Sequence, residues 1–237
     1  MASATLSATD RSALRALSDD LRRVFGNRLL SVSAYGLTDD PDDELHSIAL
    51  VDRLTFDDLA ACLPFARDWD DKGLAVPLLL ERDEFVRTLD VFPLEYGEII
   101  ANHVPIYGDD PFDGLQVADT DRRRACELQA KSHLIHLREG FLEARGDPRA
   151  VTALVAASAE GYRRLLTNLL ALVRPTAPSG SELAPEAERH LGVPAALTHD
   201  VLTARKASTI ADPTALMARY VTAVESLWEF VDAWKLR

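Results

Sequence analysis

This sequence has only two cysteines and no long apolar run. Each of these features excludes a class of protein. Its two cysteines, Cys62 and Cys126, form no spaced framework, which excludes a disulfide scaffold and suits a reducing compartment. No apolar run approaches the roughly 20 residues of a membrane-spanning helix. Residues 1–20 have neither a basic start nor a long apolar core, so no signal peptide is predicted. We therefore expect a cytoplasmic protein without a membrane partner.

Basic residues and familiar catalytic motifs are also few. Among 237 residues, 26 Lys and Arg face 38 Asp and Glu, and the net charge of −12 opposes association with nucleic acid. The sequence contains no Gly-x-Ser-x-Gly elbow, no Gly-Lys-Ser/Thr phosphate loop and no His-Glu-x-x-His motif. We expect no nucleic-acid partner, while a local basic pocket for one phosphate group stays open.

Residues 1–118 mix helical and strand patterns. A first helix ends before Gly26, and a half-buried strand over 29–35 places Leu30, Val32 and Ala34 on one face. The apolar run 48–51 is typical of a strand buried on both faces.

The pattern continues with a helix and two further strands. Thr55 and Asp58 form a capping box, which opens a helix that we expect to bury its apolar residues Phe56, Leu59 and Leu63. Strands are predicted at 76–80, where Pro77 favours an edge or a strand start, and over DVFPLEYGEII at 90–100. A short helix at about 82–89 lies between them.

The second half has helical periodicity instead. Helices are predicted at about 121–144, 148–173, 195–206 and 212–235, and the four prolines of 174–194 predict a loop. The fold class is therefore α+β. A mixed α/β domain over 1–118 precedes an antiparallel helical bundle over 119–237.

Residues 31–52, SVSAYGLTDDPDDELHSIALVD, end a strand in Tyr-Gly and follow it with an acidic turn and a second strand. Together with the helical second half, this arrangement resembles the nucleotidyltransferase superfamily, including kanamycin-type antibiotic nucleotidyltransferases and small stand-alone bacterial members. The resemblance implies a strand ending in Gly-Ser, an Asp-x-Asp strand and a third carboxylate on a later strand. In that family the carboxylates hold two divalent ions, which neutralise a triphosphate and activate a hydroxyl.

The family's site residues are only partly present. Its glycine falls on Gly36, but Leu37 stands where the phosphate-binding serine belongs. Ser47 and Ala49 stand where the Asp-x-Asp carboxylates belong. The resemblance therefore implies a degenerate, catalytically inactive site, with Mg²⁺ as a cofactor only if transfer activity survives.

Other acidic residues are candidates for the missing metal ligands. The resemblance places the third carboxylate at Glu95, with Glu98 as the alternative. The acidic turn offers Asp39 and Asp40 as hard oxygen ligands, although a turn containing proline gives Mg²⁺ little preorganisation. Asp52, at the end of the second strand, is a further catalytic candidate.

A second resemblance covers about residues 90–145. DVFPLEYGEIIANHVPIYGDDPFDGLQV followed by RRRACELQAKSHLIHLREGFLEARGDPRA resembles a group of bacterial nucleotidyltransferase-fold proteins. These couple a Phe-Pro-hydrophobic-Glu strand to a Tyr-Gly-Asp-Asp-Pro hairpin and a Leu-Arg-Glu helix. The resemblance implies the fold and carries no activity with it.

The first long helix of the second half carries a charged stripe. Arg124, Glu127, Lys131 and Arg138 share one face, so Lys131 and Arg138 are candidates to bind a phosphate or carboxylate in a cleft between the halves. The alternative is a solvated face with Glu127 and Lys131 paired four residues apart. The neighbouring side is apolar, with Leu128, Ile135, Phe141 and Leu142. His133 and His136 lack metal-ligand spacing, and we expect them to be structural or surface residues.

Three functions fit these observations. The first is an inactive nucleotidyltransferase-fold protein that binds a small ligand, such as a nucleotide, or a protein partner. The second is an active metal-dependent nucleotidyltransferase that moves a nucleoside monophosphate onto a hydroxyl. The third is a purely protein-binding module. We favour the first, because the replacement of two carboxylates and the serine removes several parts of a two-metal site.

Overall fold

The computed structural model describes residues 6–37, 44–174, 180–207 and 209–234. The described residues are mixed α and β and 67% helical, with a small four-stranded mixed sheet and several helices. It divides into two compact units, Met1–Ala118 and Asp119–Arg237, called here the N-terminal and C-terminal units.

The N-terminal unit contains all four strands of the sheet that the structure describes. Its elements in chain order are α1 (Ala8–Phe25), β1 (Leu29–Tyr35), β2 (His46–Val51), α2 (Phe56–Asp70), β3 (Leu78–Glu81), α3 (Arg82–Arg87), α4 (Pro93–Ala101) and β4 (His103–Tyr107). The strand order is β3-β2-β1-β4. β1 is antiparallel to β2 and β4, whereas β2 is parallel to β3.

Each face of the sheet has its own hydrophobic core. Val32, Ala34 and Ala49 belong to the core that also contains buried residues of α1 and α2. Ile48 and Leu50 point to the other side and belong to the core of α3 and α4. The predicted strands at 29–35 and 48–51 are confirmed. The burial predicted for Leu30 is wrong, because the pairing register shifts between Leu29 and Ser31 and leaves Leu30 exposed.

α2 begins at the predicted capping box but buries a different face. Thr55 accepts a hydrogen bond from the Asp58 backbone N–H, and the Asp58 side chain accepts one from Thr55 N–H. The helix buries Cys62 and Trp69, while the three residues expected in the core are exposed: Phe56, Leu59 and Leu63. This helix has two apolar faces. The face that contains the indole of Trp69 is buried, and Nε1 of Trp69 donates a hydrogen bond to the buried carboxylate of Asp20.

The segment predicted as a strand at 90–100 is a helix. Pro93 occupies the first turn of α4, where its missing N–H leaves no hydrogen bond unmade, and Tyr96 and Ile99 face the core three residues apart. β4 follows as an edge strand that the sequence pattern did not predict. β3 begins after Pro77 and lies at the opposite edge, as predicted.

All secondary-structure elements described in the C-terminal unit are helices. Its helices are α5 (Asp119–Glu143), α6 (Pro148–Val173), α7 (Leu183–Leu191), α8 (Ala195–Ala204) and α9 (Pro213–Ala233). The four predicted helices are confirmed. The loop predicted over 174–194 is wrong in part, because α7 occupies its second half and buries Leu183, Ala187 and Leu191.

α5 contacts both α6 and α9, which also contact each other. The apolar side expected for α5 does not face this core, because Leu128, Ile135 and Leu142 are exposed. The buried positions are Cys126, Ala130, Leu134 and Leu137. Small residues at two of these positions allow close helix packing. Within the described part of the chain, no helix is both long and apolar enough to cross a membrane.

Candidate functional site

The resemblance places the phosphate-binding turn at the end of β1. Gly36 has φ +62, a conformation that favours glycine. A Cβ added at this position would have Cδ2 of His46 as its nearest neighbour, at 3.8 Å. Leu37 is half-buried and packs against the core of α1 and α2. An apolar side chain that is held in the core cannot replace the hydroxyl of a phosphate-binding serine.

Three polar side chains approach this end of the sheet. The rings of Tyr35 and His46 stack with centroids 5.8 Å apart. Burial raises the pKa of Tyr35, and the nearby carboxylate of Glu98 raises it further. Tyr35 is therefore a neutral phenol at physiological pH, able to donate a hydrogen bond but not to act as a base.

The two carboxylate positions of the resemblance lie in the core. Ser47 is opposite Ala34 and Ala49 is opposite Val32, and both residues are almost completely buried. Ala49 packs in the core that includes α1 and α2. The hydroxyl of Ser47 has no hydrogen-bond partner among the described residues. A metal ion cannot reach this face of β2 without opening the core.

The other carboxylate candidates, Glu95, Glu98 and Asp52, do not lie on strands and do not come together in one site. Glu95 and Glu98 are exposed residues of α4, so the expectation that Glu95 lies on a strand is wrong. Asp52 follows β2 at the end where Val51 pairs with Leu29, whereas Gly36 lies beyond the opposite end. At about 3.3 Å per residue, the length of β2 separates these two ends by roughly 20 Å. Asp52 therefore cannot join a site at Gly36.

The described residues contain no cluster of three or more His, Cys, Asp or Glu side chains able to hold a metal ion. Asp39 and Asp40, two of the metal candidates, lie outside the described residues.

Most of the charged stripe of α5 is engaged within the C-terminal unit. Nη2 of Arg138 donates to Oε1 of Glu225 on α9 at 2.7 Å. Nζ of Lys131 lies 3.5 Å from the ring centroid of Trp228, a cation–π contact. Arg124 is exposed.

The partner of Glu127 differs from the predicted one. Its carboxylate contacts Arg123 at 3.1 Å, four residues earlier, whereas a pair with Lys131 was expected. Lys131 turns towards Trp228 on α9 instead. Lys131 therefore has an aromatic partner on α9 in place of the predicted ion pair along its own helix.

His133 belongs to a buried aromatic cluster. Its Nε2 lies 2.7 Å from the hydroxyl of Tyr220, and its ring stacks at 6.3 Å from that of Tyr162. Burial lowers the pKa of His133 to about 4 and raises that of Tyr162 to about 12. His136, by contrast, is exposed and contacts Glu139 at 3.6 Å. These positions agree with a structural role for His133 and a surface role for His136.

An open polar depression of about 370 Å³ lies at the end of α1. Arg22 stands over the ring of Tyr107 at 5.2 Å, and it contacts Asp19 at 3.5 Å. Arg23 contacts Asp20 at 2.9 Å. Each arginine already faces a carboxylate, so the depression has little charge left to bind an anion.

Two exposed apolar surfaces were missed by the sequence interpretation. The α2 apolar face consists of Phe56, Leu59 and Leu63, which are 81%, 40% and 71% exposed. The α5 apolar stripe consists of Leu128, Ile135 and Leu142, which are 72%, 42% and 76% exposed. The signal was present in the sequence, because each helix carries more apolar positions than one face can bury.

No family model and no curated protein matches this sequence.

Proposed function

We propose that this chain is a nucleotidyltransferase-like protein without transfer activity, which acts in the cytoplasm by binding a protein partner. In this proposal an N-terminal nucleotidyltransferase-like domain precedes an antiparallel helical bundle. The burial of Ser47 and Ala49 supports the loss of transfer chemistry, because neither position is open to a metal ion or a triphosphate. Leu37 supports it too, since its half-buried apolar side chain packs against the core and offers no hydroxyl to a phosphate.

The exposed apolar surfaces carry the proposal of a protein partner. Large apolar side chains recur at helical spacing on both α2 and α5, and four of the six are more than 70% exposed. Surfaces of this kind mark sites of protein association, since covering them removes apolar area from water. A partner helix would cover either surface with residues at the same spacing.

A protein partner takes precedence over a nucleotide ligand because the two residues predicted to bind a phosphate, Lys131 and Arg138, already have partners. An anion at Lys131 would displace its contact with Trp228, and an anion at Arg138 would compete with Glu225. An active enzyme would need carboxylates of the acidic turn together with Glu95 or Glu98. That alternative requires Mg²⁺, which separates it from the proposal.

Two measurements test the proposed function. In calorimetry with ATP and GTP, we expect no binding with or without Mg²⁺, and Mg²⁺-dependent binding would favour the active enzyme. Photo-crosslinking in the cells that make the protein tests partner binding. A photoreactive side chain at Leu63 or Leu142 should give a defined protein adduct.

The exposed polar positions Asp68 and His136, which lie on other faces of the same helices, are the matched controls for the crosslinking. A photoreactive side chain there should give no such adduct. The absence of a defined adduct from both apolar surfaces would overturn the proposal.

A further inference from the structure

The ring of His103 faces a hydrogen-bond acceptor at each of its two nitrogens. His103 is the first residue of β4, and its side chain is largely buried. Nδ1 lies 3.1 Å and 3.2 Å from the backbone oxygens of Ile99 and Ile100, in the last turn of α4. Nε2 lies 3.0 Å from Oδ1 of Asp110. The ring therefore joins the end of α4 to the chain that follows β4.

These contacts match the doubly protonated form of the ring. A backbone carbonyl and an ionised carboxylate accept hydrogen bonds and cannot donate them. Asp110 is ionised at neutral pH, because hydrogen bonds from the backbone N–H of Phe112 and then from His103 lower the pKa of its carboxyl. A neutral imidazole has one N–H, whereas the imidazolium donates from both nitrogens. A cation is also favoured next to the carbonyls at the C-terminal end of a helix.

The residues that follow β4 cover part of the core of α3 and α4. Residues 108–115 are called here the strap. Phe112 of the strap is buried, with its ring centroid 5.1 Å from that of Phe85 and 4.8 Å from that of His103. Its backbone N–H donates to Oδ1 of Asp110 at 2.9 Å, and the same oxygen faces His103. The carboxylate of Asp110 therefore holds Phe112 and His103 together.

The two glycines of the strap have different surroundings. Both have positive φ, but a Cβ at Gly108 would lie 2.1 Å from the carbonyl oxygen of Leu30, so this end is fixed against β1. An added Cβ at Gly114 would have no described atom within 4 Å, so the chain has room to turn there. Between the ends, the strap is held through Asp110 and through the apolar side chain of Phe112.

We propose that His103 and Asp110 form a pH-sensitive clamp, which holds the strap on the core of α3 and α4 while the ring carries both protons. Loss of either ring proton turns a nitrogen lone pair towards an acceptor, at Asp110 or at the end of α4. The strap is therefore released as the pH rises through the titration of His103. Release withdraws Phe112 and uncovers the ring of Phe85. The inference is independent of the proposed partner surfaces, because it involves neither α2 nor α5.

Acid weakens the clamp from the other side. Protonation of Asp110 removes the negative charge that faces Nε2 of His103. Because the pKa of Asp110 is lowered, this loss begins below the ordinary range of an aspartate. The strap is therefore held most firmly between the titration of Asp110 and that of His103.

Other titratable groups lie near His103 without supplying the acceptor at Nε2. Tyr35 is paired with His103 across β1 and β4, and burial together with Glu98 raises the pKa of its phenol. His46 on β2 stacks on Tyr35. Arg22 of α1 lies over Tyr107, whose neighbours in β4 pack in the core on the opposite face of the sheet. The other acidic side chains of α4 and the strap are exposed: Glu95, Glu98, Asp109 and Asp113.

Nitrogen NMR of the isotope-labelled full chain tests the charge of the ring. We expect both ring nitrogens of His103 to have imidazolium shifts over the pH range in which the strap is held. The signals that disappear in His103→Gln identify this ring. A ring with a single proton over that range would rule out the clamp.

Amide hydrogen exchange tests the strap itself. The N–H groups of Phe112 and Leu115 donate within the strap and report on its opening. After correction for the intrinsic pH dependence of exchange, their protection should fall at least about tenfold as the pH rises through the titration of His103. Amides of the paired strands β1 and β2 are the internal reference and should keep their protection. Strap protection that does not follow the titration of His103 would contradict the proposal.

Two variants remove the clamp from its two sides. In His103→Gln and in Asp110→Asn, most of the pH dependence of strap protection should disappear. Asp110→Asn keeps an oxygen for the N–H of Phe112, so the turn survives while the charge is lost, and this variant decides the test if His103→Gln does not fold. His46→Gln and Asp109→Asn change exposed neighbours and should retain the wild-type pH dependence. Full pH dependence in Asp110→Asn, or its loss in His46→Gln, would overturn the inference.

Discussion

Arg28 and Asp58 are joined by two parallel hydrogen bonds, with Nη1–Oδ2 at 2.9 Å and Nη2–Oδ1 at 2.6 Å. The same carboxylate accepts hydrogen bonds from the backbone N–H and the hydroxyl of Thr55, at 2.9 and 2.7 Å. This network connects the residue before β1 to the first turn of α2. It fixes the start of α2 next to the start of β1.

The Arg28–Asp58 pair should make folding stability depend on acid. Hydrogen bonds from Arg28 and then Thr55 lower the pKa of Asp58 far below its ordinary value of 3.8. The unfolded state therefore takes up the proton first, so the contribution is present above about pH 4 and is lost as pH falls further. As the pH is lowered from 6 to 2, the urea concentration at the unfolding midpoint should fall less steeply in Asp58→Asn than in wild type. Asp57→Asn, an exposed neighbour in the same turn, should retain the wild-type slope.

His133 should add a second, separate pH dependence. Its pKa is lowered from 6.5 to about 4, mainly by burial, so the folded state holds the neutral ring. Between these values the unfolded state binds more protons, and stability rises with pH by roughly 3 kcal/mol across the window. In His133→Gln, urea midpoints between pH 4 and 6.5 should lose most of this rise. An unchanged rise in His133→Gln, or its loss in His136→Gln, would contradict the assignment.

Gly108 should tolerate no side chain, unlike Gly114. Both glycines have positive φ, +78 and +75, so alanine strains the backbone at either position by roughly 1 kcal/mol. A Cβ at Gly108 would also lie 2.1 Å from the carbonyl oxygen of Leu30, whereas Gly114 has nothing within 4 Å. In thermal unfolding, the loss of stability for Gly108→Ala should therefore be at least about twice the loss for Gly114→Ala. Equal losses would mean that β4 does not approach β1 as closely as described.

The two faces of α2 should respond differently to substitution. Phe56→Ser and Leu63→Ser change exposed side chains, so each should shift the free energy of unfolding by no more than about 0.5 kcal/mol. Trp69→Ala empties a core position and removes the indole donor to Oδ2 of Asp20, with an expected loss of about 3–5 kcal/mol. Urea unfolding measures all three variants. A loss of several kcal/mol in Phe56→Ser would show that this face is buried.

A carboxylate at position 49, where the resemblance would place one, should damage the fold. Ala49→Asp places a charge in the core of α1 and α2, and we expect a loss of roughly 3 kcal/mol or more. Ala49→Ser is the matched small substitution and should cost less. Thermal unfolding with and without Mg²⁺ measures both. Stabilisation of Ala49→Asp by Mg²⁺ would show that a metal reaches this face, contrary to the proposed loss of transfer chemistry.

Local signals in the sequence located most elements of the chain. The Thr55–Asp58 cap, Pro148 and Pro213 at helix starts, and the apolar run of β2 are signals carried by a few adjacent residues. Such signals depend on the hydrogen bonds of one turn or one strand, so they can be recognised without knowing the fold. The segment around Glu95 was predicted wrongly because its local signal fits two kinds of secondary structure. Five alternating residues fit a strand, but Pro93 and the spacing of Tyr96 and Ile99 equally fit a helix.

The sequence by itself determined most of the helices and strands, although not α4, β4 or α7. It also determined the acidic charge that opposes nucleic acid and the absence of a complete nucleotidyltransferase motif. Only the tertiary structure decided which apolar face of α2 and α5 is buried. Both helices carry two such faces, and the choice depends on distant partners such as Asp20 for Trp69 and Trp228 for Lys131. Contacts between residues far apart in the chain cannot be inferred from the periodicity of the sequence. The exposed surfaces through which we propose that this protein binds its partner are the faces that those contacts left uncovered.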